Sequence, residues 1–301
     1  MGFRTLEISQ AAELHIKNGQ LEVASAEGTA LIPIEDLSQI LVHGANIRLS
    51  TMDLSILTSN KVAVMTLDEK YLPTAIVLPF EGHSRQSMLM HAQVNTRPQR
   101  YLDLWIQLVR QKISNQSRAL SIMGMPGSEK VASYIDKITE ANVDHVEAIA
   151  AKDYFSCFHE GLNRRTDDPV NSRLNYGYAV VRSAITRSLV SSGFHPTFGI
   201  HHNSQLNAFN LADDLIEPFR AIVDVTAHEY MGNNVKLTKA ERYGLAHVLH
   251  NACMIDETKV NVLSGIDLMV SSLRRIILED SDEMLQLPVV LPVQSMEGIT
   301  E

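Results

Sequence analysis

The N-terminal third of the chain is patterned for strands. Leu14 and Ile16, then Leu21 and Val23, alternate with polar residues, the period of a half-buried extended segment. Asn18-Gly19 separates the two runs. A two-residue type I′ turn needs positive φ at both central positions, so this pair predicts a hairpin. Thr29 to Ile34 and Ile40 to Val42 predict further strands. Ser50 predicts the cap of a short helix through Met52, Leu54, Ile56 and Leu57, ending near Asn60. Val62 to Leu67 and Thr74 to Leu78 are two more apolar runs, closed by Pro79 and Gly82.

Beyond residue 86 the period changes to that of a helix. Tyr101, Leu102, Trp105, Leu108, Val109 and Ile113 form a stripe within 98–122, and Met125-Pro126-Gly127 breaks it. Residues 129–141 are amphipathic. Asn142 or Asp144 begins a helix that stops at Gly161, and Asp168-Pro169 begins another that stops at Gly193. Residues 206–230 read as helical with Pro218 dividing them. The last predicted helices are 238–252 and 258–278. The expected class is α+β, a small N-terminal β-rich domain followed by a larger all-α C-terminal domain. The expected boundaries are 1–82 for the first, 83–86 for a linker, 87–285 for the second, and 286–301 for an irregular tail.

Composition alters this picture only in places. With 45% hydrophobic residues among 301, the chain builds a core without disulfides. Cys157 and Cys253 lack metal-ligand spacing and read as free thiols. The first residues lack an apolar leader, and no run of about 18 apolar residues occurs, so a cytoplasmic protein without a membrane span is expected. The net charge of −9 argues against nucleic acid, but its distribution does not. Residues 1–85 carry 6 basic and 10 acidic side chains, residues 86–200 carry 13 and 10, and residues 201–301 carry 7 and 15. In the positive middle section Arg164, Arg165, Arg173, Arg182 and Arg187 could grip phosphates bidentately or simply form a solvated face.

Two segments hold residues capable of metal chemistry. On a helix, Glu147, Ala151 and Tyr154 share one face. A carboxylate facing inward there needs a partner, such as a metal; otherwise Glu147 lies at the surface. In the second segment His201 and His202 precede Asp213, Asp214 and Glu217. The i, i+3 and i, i+4 spacings crowd like charges. A cation or Arg220, one turn on, would relieve them, and Asp213 reads as the most solvated of the three.

These blocks also carry a resemblance. Glu147 to Phe155 (Glu-Ala-Ile-Ala-Ala-Lys-Asp-Tyr-Phe), Asp168 to Tyr178 (Asp-Pro-Val-Asn-Ser-Arg-Leu-Asn-Tyr-Gly-Tyr), Gly-Ile-His-His at 199–202 and Asp-Leu-Ile-Glu-Pro-Phe-Arg at 214–220 are similar to the CRISPR-associated protein one family, the adaptation integrase. The linker Leu78-Pro79-Phe80 to Gln86 matches as well. The likeness runs from Phe3 to about Leu278 and has the character of systems with a single-protein effector. It implies Glu147, His202 and Glu217 as ligands of Mg²⁺ or Mn²⁺, with Asn171 and Tyr176 nearby in the catalytic site. His202 is preferred to His201 because the family's histidine lies fifteen residues before the glutamate. Two carboxylates and one imidazole suit these hard ions better than zinc.

The reaction implied is attack by a fragment's 3′-hydroxyl on a phosphodiester of the CRISPR repeat, with hydrolysis when water attacks. The resemblance also implies double-stranded DNA and CRISPR-associated protein two as partners. It further implies homodimerisation through the β-rich domain, with two dimers per complex and catalysis in the helical domain. Arg164, Arg165 and Arg173 are the expected phosphate contacts. The alternatives are a non-catalytic DNA-loading scaffold and a phosphohydrolase of small substrates.

Overall fold

The predicted hairpin forms where Asn18 and Gly19 both take positive φ, +53° and +74°. It joins β2 (Ala12–Lys17) to β3 (Gln20–Ser25), each residue from Ala12 to Lys17 facing its antiparallel partner. The computed structural model describes residues 4–43, 46–68, 73–80, 86–159, 162, 164, 168–230 and 237–293. The remaining strands of the first part are β1 (Arg4–Ile8), β4 (Gly28–Pro33), β5 (Leu37–His43), β6 (Ile47–Leu49), β7 (Ala63–Leu67) and β8 (Pro73–Val77). They form two sheets, β4-β3-β2-β6 and β1-β5-β7-β8. Between β6 and β7 lies α1 (Thr51–Ser59), its Ser50 cap accepting the Asp53 amide at 3.1 Å.

The central strands of the second sheet, β5 and β7, are buried on both faces. Side chains alternate along β5 and β7, so Ile40 and Val64 join the core of the N-terminal part. Their neighbours Leu41, Met65 and Leu67 join the core of the helices. Near-continuous apolar sequence in these two strands follows from that double burial. The two parts are therefore packed through a shared sheet. Polar ties add to it: Arg242 pairs with Glu7 at 2.6 Å, and the Gln39 side-chain amide reaches the Val180 carbonyl at 3.5 Å.

The helical part comprises α2 (Gln86–Asn95), α3 (Pro98–Ile122), α4 (Ser128–Ala132), α5 (Val143–Phe158), α6 (Pro169–Ser192), α7 (Asn210–Leu215), α8 (Arg220–His228), α9 (Lys239–Ala246) and α10 (Val262–Glu279). Asp168 caps α6 by accepting the Val170 amide at 2.7 Å, Pro169 opens it, and Gly193 ends it at φ +94°. A single 3₁₀ turn, Glu217–Phe219, joins α7 to α8 at Pro218.

The expected α+β layout holds, sheets first and helices after, with two details that the pattern did not indicate. Within the helical part β9 (Ala252–Ile255), β10 (Thr258–Asn261) and β11 (Val289–Val290) form a small sheet. Its hairpin turns on Asp256 and Glu257 at φ +45° and +64°. Neither residue is glycine, so the usual turn signal is missing. The start of the supposed tail is ordered: the buried Asn115 side chain donates to the Pro288 carbonyl at 2.8 Å and accepts the Val290 amide at 3.1 Å.

The reading of the arginine-rich section is corrected. Arg173 is fully buried, its guanidinium bonded to Glu241 (3.1 Å from Nε) and to the carbonyls of Tyr230 (3.0 Å) and Pro169 (2.8 Å). Arg187 is also buried, and Arg182 pairs with Asp213 at 2.9 Å. Arg165 lies outside the described residues. Arg173 thus cannot meet a phosphate on the surface. Replacing it with alanine leaves Glu241 uncompensated and should lower the unfolding free energy by about 3–5 kcal/mol. Urea melts would show this, with the DNA affinity of the folded fraction unchanged; a stable variant with weakened DNA binding would return Arg173 to the surface.

Candidate active site

Lys112 stands at the centre of the candidate site. It lies on the apolar face of α3, two turns beyond Trp105 and one beyond Leu108, and is buried with them. Its ammonium contacts Glu147 of α5 and lies 2.5 Å from Glu217 Oε2. On the other side Arg220 Nε donates to Glu217 Oε1 at 2.9 Å. The fold thus brings together two carboxylates that sequence places 70 residues apart, around one buried cation. Burial alone would push the Glu217 carboxyl up, but the charges of Arg220 and Lys112 outweigh it and bring it down to about 2. Burial also opposes the charge on Lys112, yet Glu217 and Glu147 hold its pKa above the ordinary value.

The third predicted ligand is set by a different device. Asp214 is completely buried and accepts the backbone amides of Ile200 (2.6 Å), His201 (3.0 Å) and His202 (3.1 Å). It also bonds His202 Nδ1 at 2.6 Å. This bond raises the His202 pKa, burial working against it. It engages Nδ1, which leaves Nε2 as the nitrogen for a ligand. Gly199 permits this close loop: a Cβ there would lie 2.1 Å from the His202 carbonyl oxygen and 2.8 Å from Asp214 Oδ2. His201 stacks flat on Trp105, ring centroids 4.2 Å apart, and Trp105 meets His202 edge-on at 5.9 Å. The indole N–H donates to Asp144 at 2.9 Å.

Asn171 lies on α6 and accepts from the Arg164 guanidinium, which also donates to Asn175 at 3.0 Å. Arg164 is half-buried and lies over the rings of Phe155 and Tyr178. Tyr176 is fully buried. The tyrosine ring beneath Arg220 is Tyr178, 4.7 Å from the guanidinium carbon. Two residues along a helix turn a side chain by about 200°, which separates the two rings. Asp213 is not simply solvated, because Arg182 and Asn207 both engage it. Sequence reading missed Lys112, whose signal was a lysine in register with an apolar stripe. It also missed Asp214 as the carboxylate that holds His202.

The donor set, two carboxylates converging on one cation and an imidazole with Nε2 open, fits Mg²⁺ or Mn²⁺. Among the described residues no group of three or more His, Cys, Asp or Glu is placed to hold a metal ion, and the Lys112 ammonium lies between the two carboxylates. The Glu217 pairing has a consequence for acid stability. Its ordinary value of 4.5 falls to about 2 in the fold. The stabilisation is therefore present above pH 4.5 and lost as pH falls toward 2, an effect of about 3 kcal/mol. Asp224, pushed up to about 6 by burial, acts in the opposite sense, costing stability as pH rises from about 4 to 6. In chelator, urea melts from pH 2.5 to 7 should show Glu217→Gln losing most of the wild-type gain in the acid range. An unchanged acid limb would mean that Glu217 is not held by these cations.

Comparison with known proteins identifies the family. The family model for CRISPR associated protein Cas1 matches residues 7–256. A CRISPR-associated endonuclease Cas1 from Neisseria meningitidis serogroup C (strain 8013) is 32% identical over 302 residues, covering 99% of each chain. Among solved structures, a casposase bound to integration product has a TM-score of 0.79 at 16% identity, covering 99% of this chain and 96% of that one. A chain of a Cas6-RT-Cas1–Cas2 complex gives 0.73 at 18% identity, covering 96% of this chain and 36% of its own length. At such identities the structural likenesses show a common fold. The family match over most of the length and the full-length relative carry more: this chain belongs to the CRISPR-associated Cas1 family.

Proposed function

We propose that this chain is a metal-dependent DNA integrase and endonuclease that inserts captured DNA fragments into a CRISPR array. The observation that carries the reading is the convergence of Glu147 and Glu217 on one buried cation, beside a histidine whose Nδ1 is committed to Asp214. Glu147, His202 and Glu217 would hold Mg²⁺ or Mn²⁺, which when bound polarises a phosphodiester and stabilises the entering and leaving oxygens. Glu217 remains ionised across the physiological range because its pKa is low. Asp214 keeps the His202 loop in one shape, and Trp105 holds His201 flat against it. Lys112 and Arg220 hold the two carboxylates in place, their charges balanced by Glu147 and Glu217.

The substrates of this reading are a double-stranded DNA fragment and the repeat DNA of the array. The partner is CRISPR-associated protein two, in keeping with the Cas1–Cas2 complex whose chain shares the fold. A homodimer, two of which flank the partner, would use the N-terminal sheets. Strand β4 lies at the edge of its sheet, largely exposed, with Leu31 open to solvent. Such an edge invites pairing with another chain. A fragment beginning at residue 86 is a poor test of this idea, since it would expose the helical core that Leu41, Met65 and Leu67 cover.

The decisive assay is strand transfer of a labelled fragment into a supercoiled array plasmid, with the partner protein and Mn²⁺. Glu147→Ala, His202→Ala and Glu217→Ala should each abolish transfer and nicking of branched DNA, whereas His201→Ala should retain more activity than His202→Ala. Near wild-type transfer by any of the first three would remove that residue from the ligand set. Persistence of transfer in all of them would favour a DNA-loading scaffold whose partner cuts. Light scattering tests the dimer: the full chain should have twice its 33.5 kDa mass. Leu31→Lys should shift it toward the monomer, and an unshifted dimer would place the interface elsewhere.

A further inference from the structure

Two turns below the candidate site, the same two segments are joined a second time. Tyr154 follows Glu147 by seven residues on α5, and Asp224 follows Glu217 by seven residues on the 3₁₀ turn and α8. Seven helical residues make about two turns, or about 10 Å. At that depth the Tyr154 hydroxyl donates to Asp224 Oδ2 at 2.8 Å. The other carboxylate oxygen accepts the Tyr178 hydroxyl of α6 at 2.5 Å. All three side chains are buried. The Tyr178 ring then serves as the platform for Arg220, which holds Glu217. Arg164 lies over the outer part of this cluster, against Tyr178 and Phe155.

The arrangement is more specific than core filling requires. A buried carboxylate is costly unless its oxygens are satisfied, and phenylalanine with an apolar partner would fill the same space. What the polar version adds is direction. A hydroxyl bonded to each carboxylate oxygen fixes the orientation of Asp224, and so the distance and rotation between α5, α6 and α8. A layer above, Glu147 and Glu217 must meet one ion within a few tenths of an ångström, a tolerance that packing of apolar groups alone does not set.

We infer that Asp224, through Tyr154 and Tyr178, is a positioning residue that sets the separation of Glu147 and Glu217 and the seat of Arg220. This rests on the metal-site reading above. No member of the trio is one of the proposed ligands. Its effect passes along α5 to Glu147 and through the Tyr178 ring and Arg220 to Glu217.

The test uses the full-length protein and Mn²⁺ alone, with binding followed by electron paramagnetic resonance and folding by thermal melts. The variants are Tyr154→Phe, Tyr178→Phe, Tyr178→Leu, Asp224→Asn and Glu217→Gln. Ser188→Ala is the control, since it removes a part-buried hydrogen bond, to Asp267 at 2.6 Å, on the same helix as Tyr178. The expected result is Mn²⁺ affinity weakened about tenfold or more in Tyr154→Phe and Tyr178→Phe, further in Tyr178→Leu, and least in Asp224→Asn, which keeps the shape. Ser188→Ala should melt lower with Mn²⁺ affinity unchanged. If the tyrosine variants melt lower but bind Mn²⁺ like the wild type, the trio is purely structural and the inference is overturned while the metal site stands. If Glu217→Gln binds Mn²⁺ as well as the wild type, the metal-site reading fails and the inference falls with it. The phenylalanine variants are conservative enough to fold, so the outcome does not hinge on Tyr178→Leu.

Discussion

A buried carboxylate, Glu217, and a half-buried one, Glu147, share a positive charge between them, and much of this structure follows from that pairing. Glu147 and Glu217 reach the same ammonium, so α3, α5 and the turn before α8 must converge on Lys112. Such a cluster is weak evidence for stability, because desolvating the charges costs about as much as their attraction returns. Its value lies in specificity. Loss of any one charge strands the others, so the helices have one arrangement in which all are satisfied. Arg220 adds a second cation on the far side of Glu217, and the Tyr178 ring fixes its position.

The rest of the fold supports that convergence from two directions. From below, the sheet formed by β1, β5, β7 and β8 lends one face to each core, so α6 rests on a surface that is itself backed by the N-terminal hydrophobic cluster. From the side, the loop bearing His202 is tied at both ends. Gln93 of α2 donates to the carbonyls of His195 and Phe198 at 3.0 and 2.7 Å and accepts the His195 amide at 3.1 Å. Asp214 gathers the three following amides. The loop that carries His202 is thereby tied down along its length.

What sequence could reveal was whatever is encoded by nearest neighbours. The Asn18-Gly19 turn, the Ser50 and Asp168 caps, Pro169 and the stop at Gly193 are local devices, and each appears where the pattern placed it. The break at Pro218 belongs with them. The small C-terminal sheet was illegible for two physical reasons. Its hairpin turns on Asp256 and Glu257 in place of glycine. Its third strand is two residues long and is held by Asn115, more than 170 residues away. Arg173 misled because a guanidinium on a helix looks the same in sequence whether it faces solvent or a buried Glu241. Glu147, His202 and Glu217 were singled out through motif resemblance, but Lys112 was not, since a single lysine in an apolar stripe is usually a surface residue at the stripe's margin.

Charge counting within the site ties these observations to an acidic chain that acts on DNA. Glu147 and Glu217 contribute two negative charges, and Lys112 and Arg220 two positive ones, a neutral set. Asp213 and Arg182 cancel in the same way. Asp214 adds one negative charge, offset when His202 is protonated. The side chains alone therefore offer little net field to an approaching phosphate, and the buried Arg173 and Arg187 add nothing at the surface. A divalent ion held by the two carboxylates and His202 would turn the same set positive at the point where a phosphodiester must sit. In a low-dielectric setting a change of that kind acts strongly over a few ångströms. On this argument attraction for the polyanion is concentrated at the reacting phosphate and does not depend on a broadly basic protomer, which is compatible with a net charge of −9.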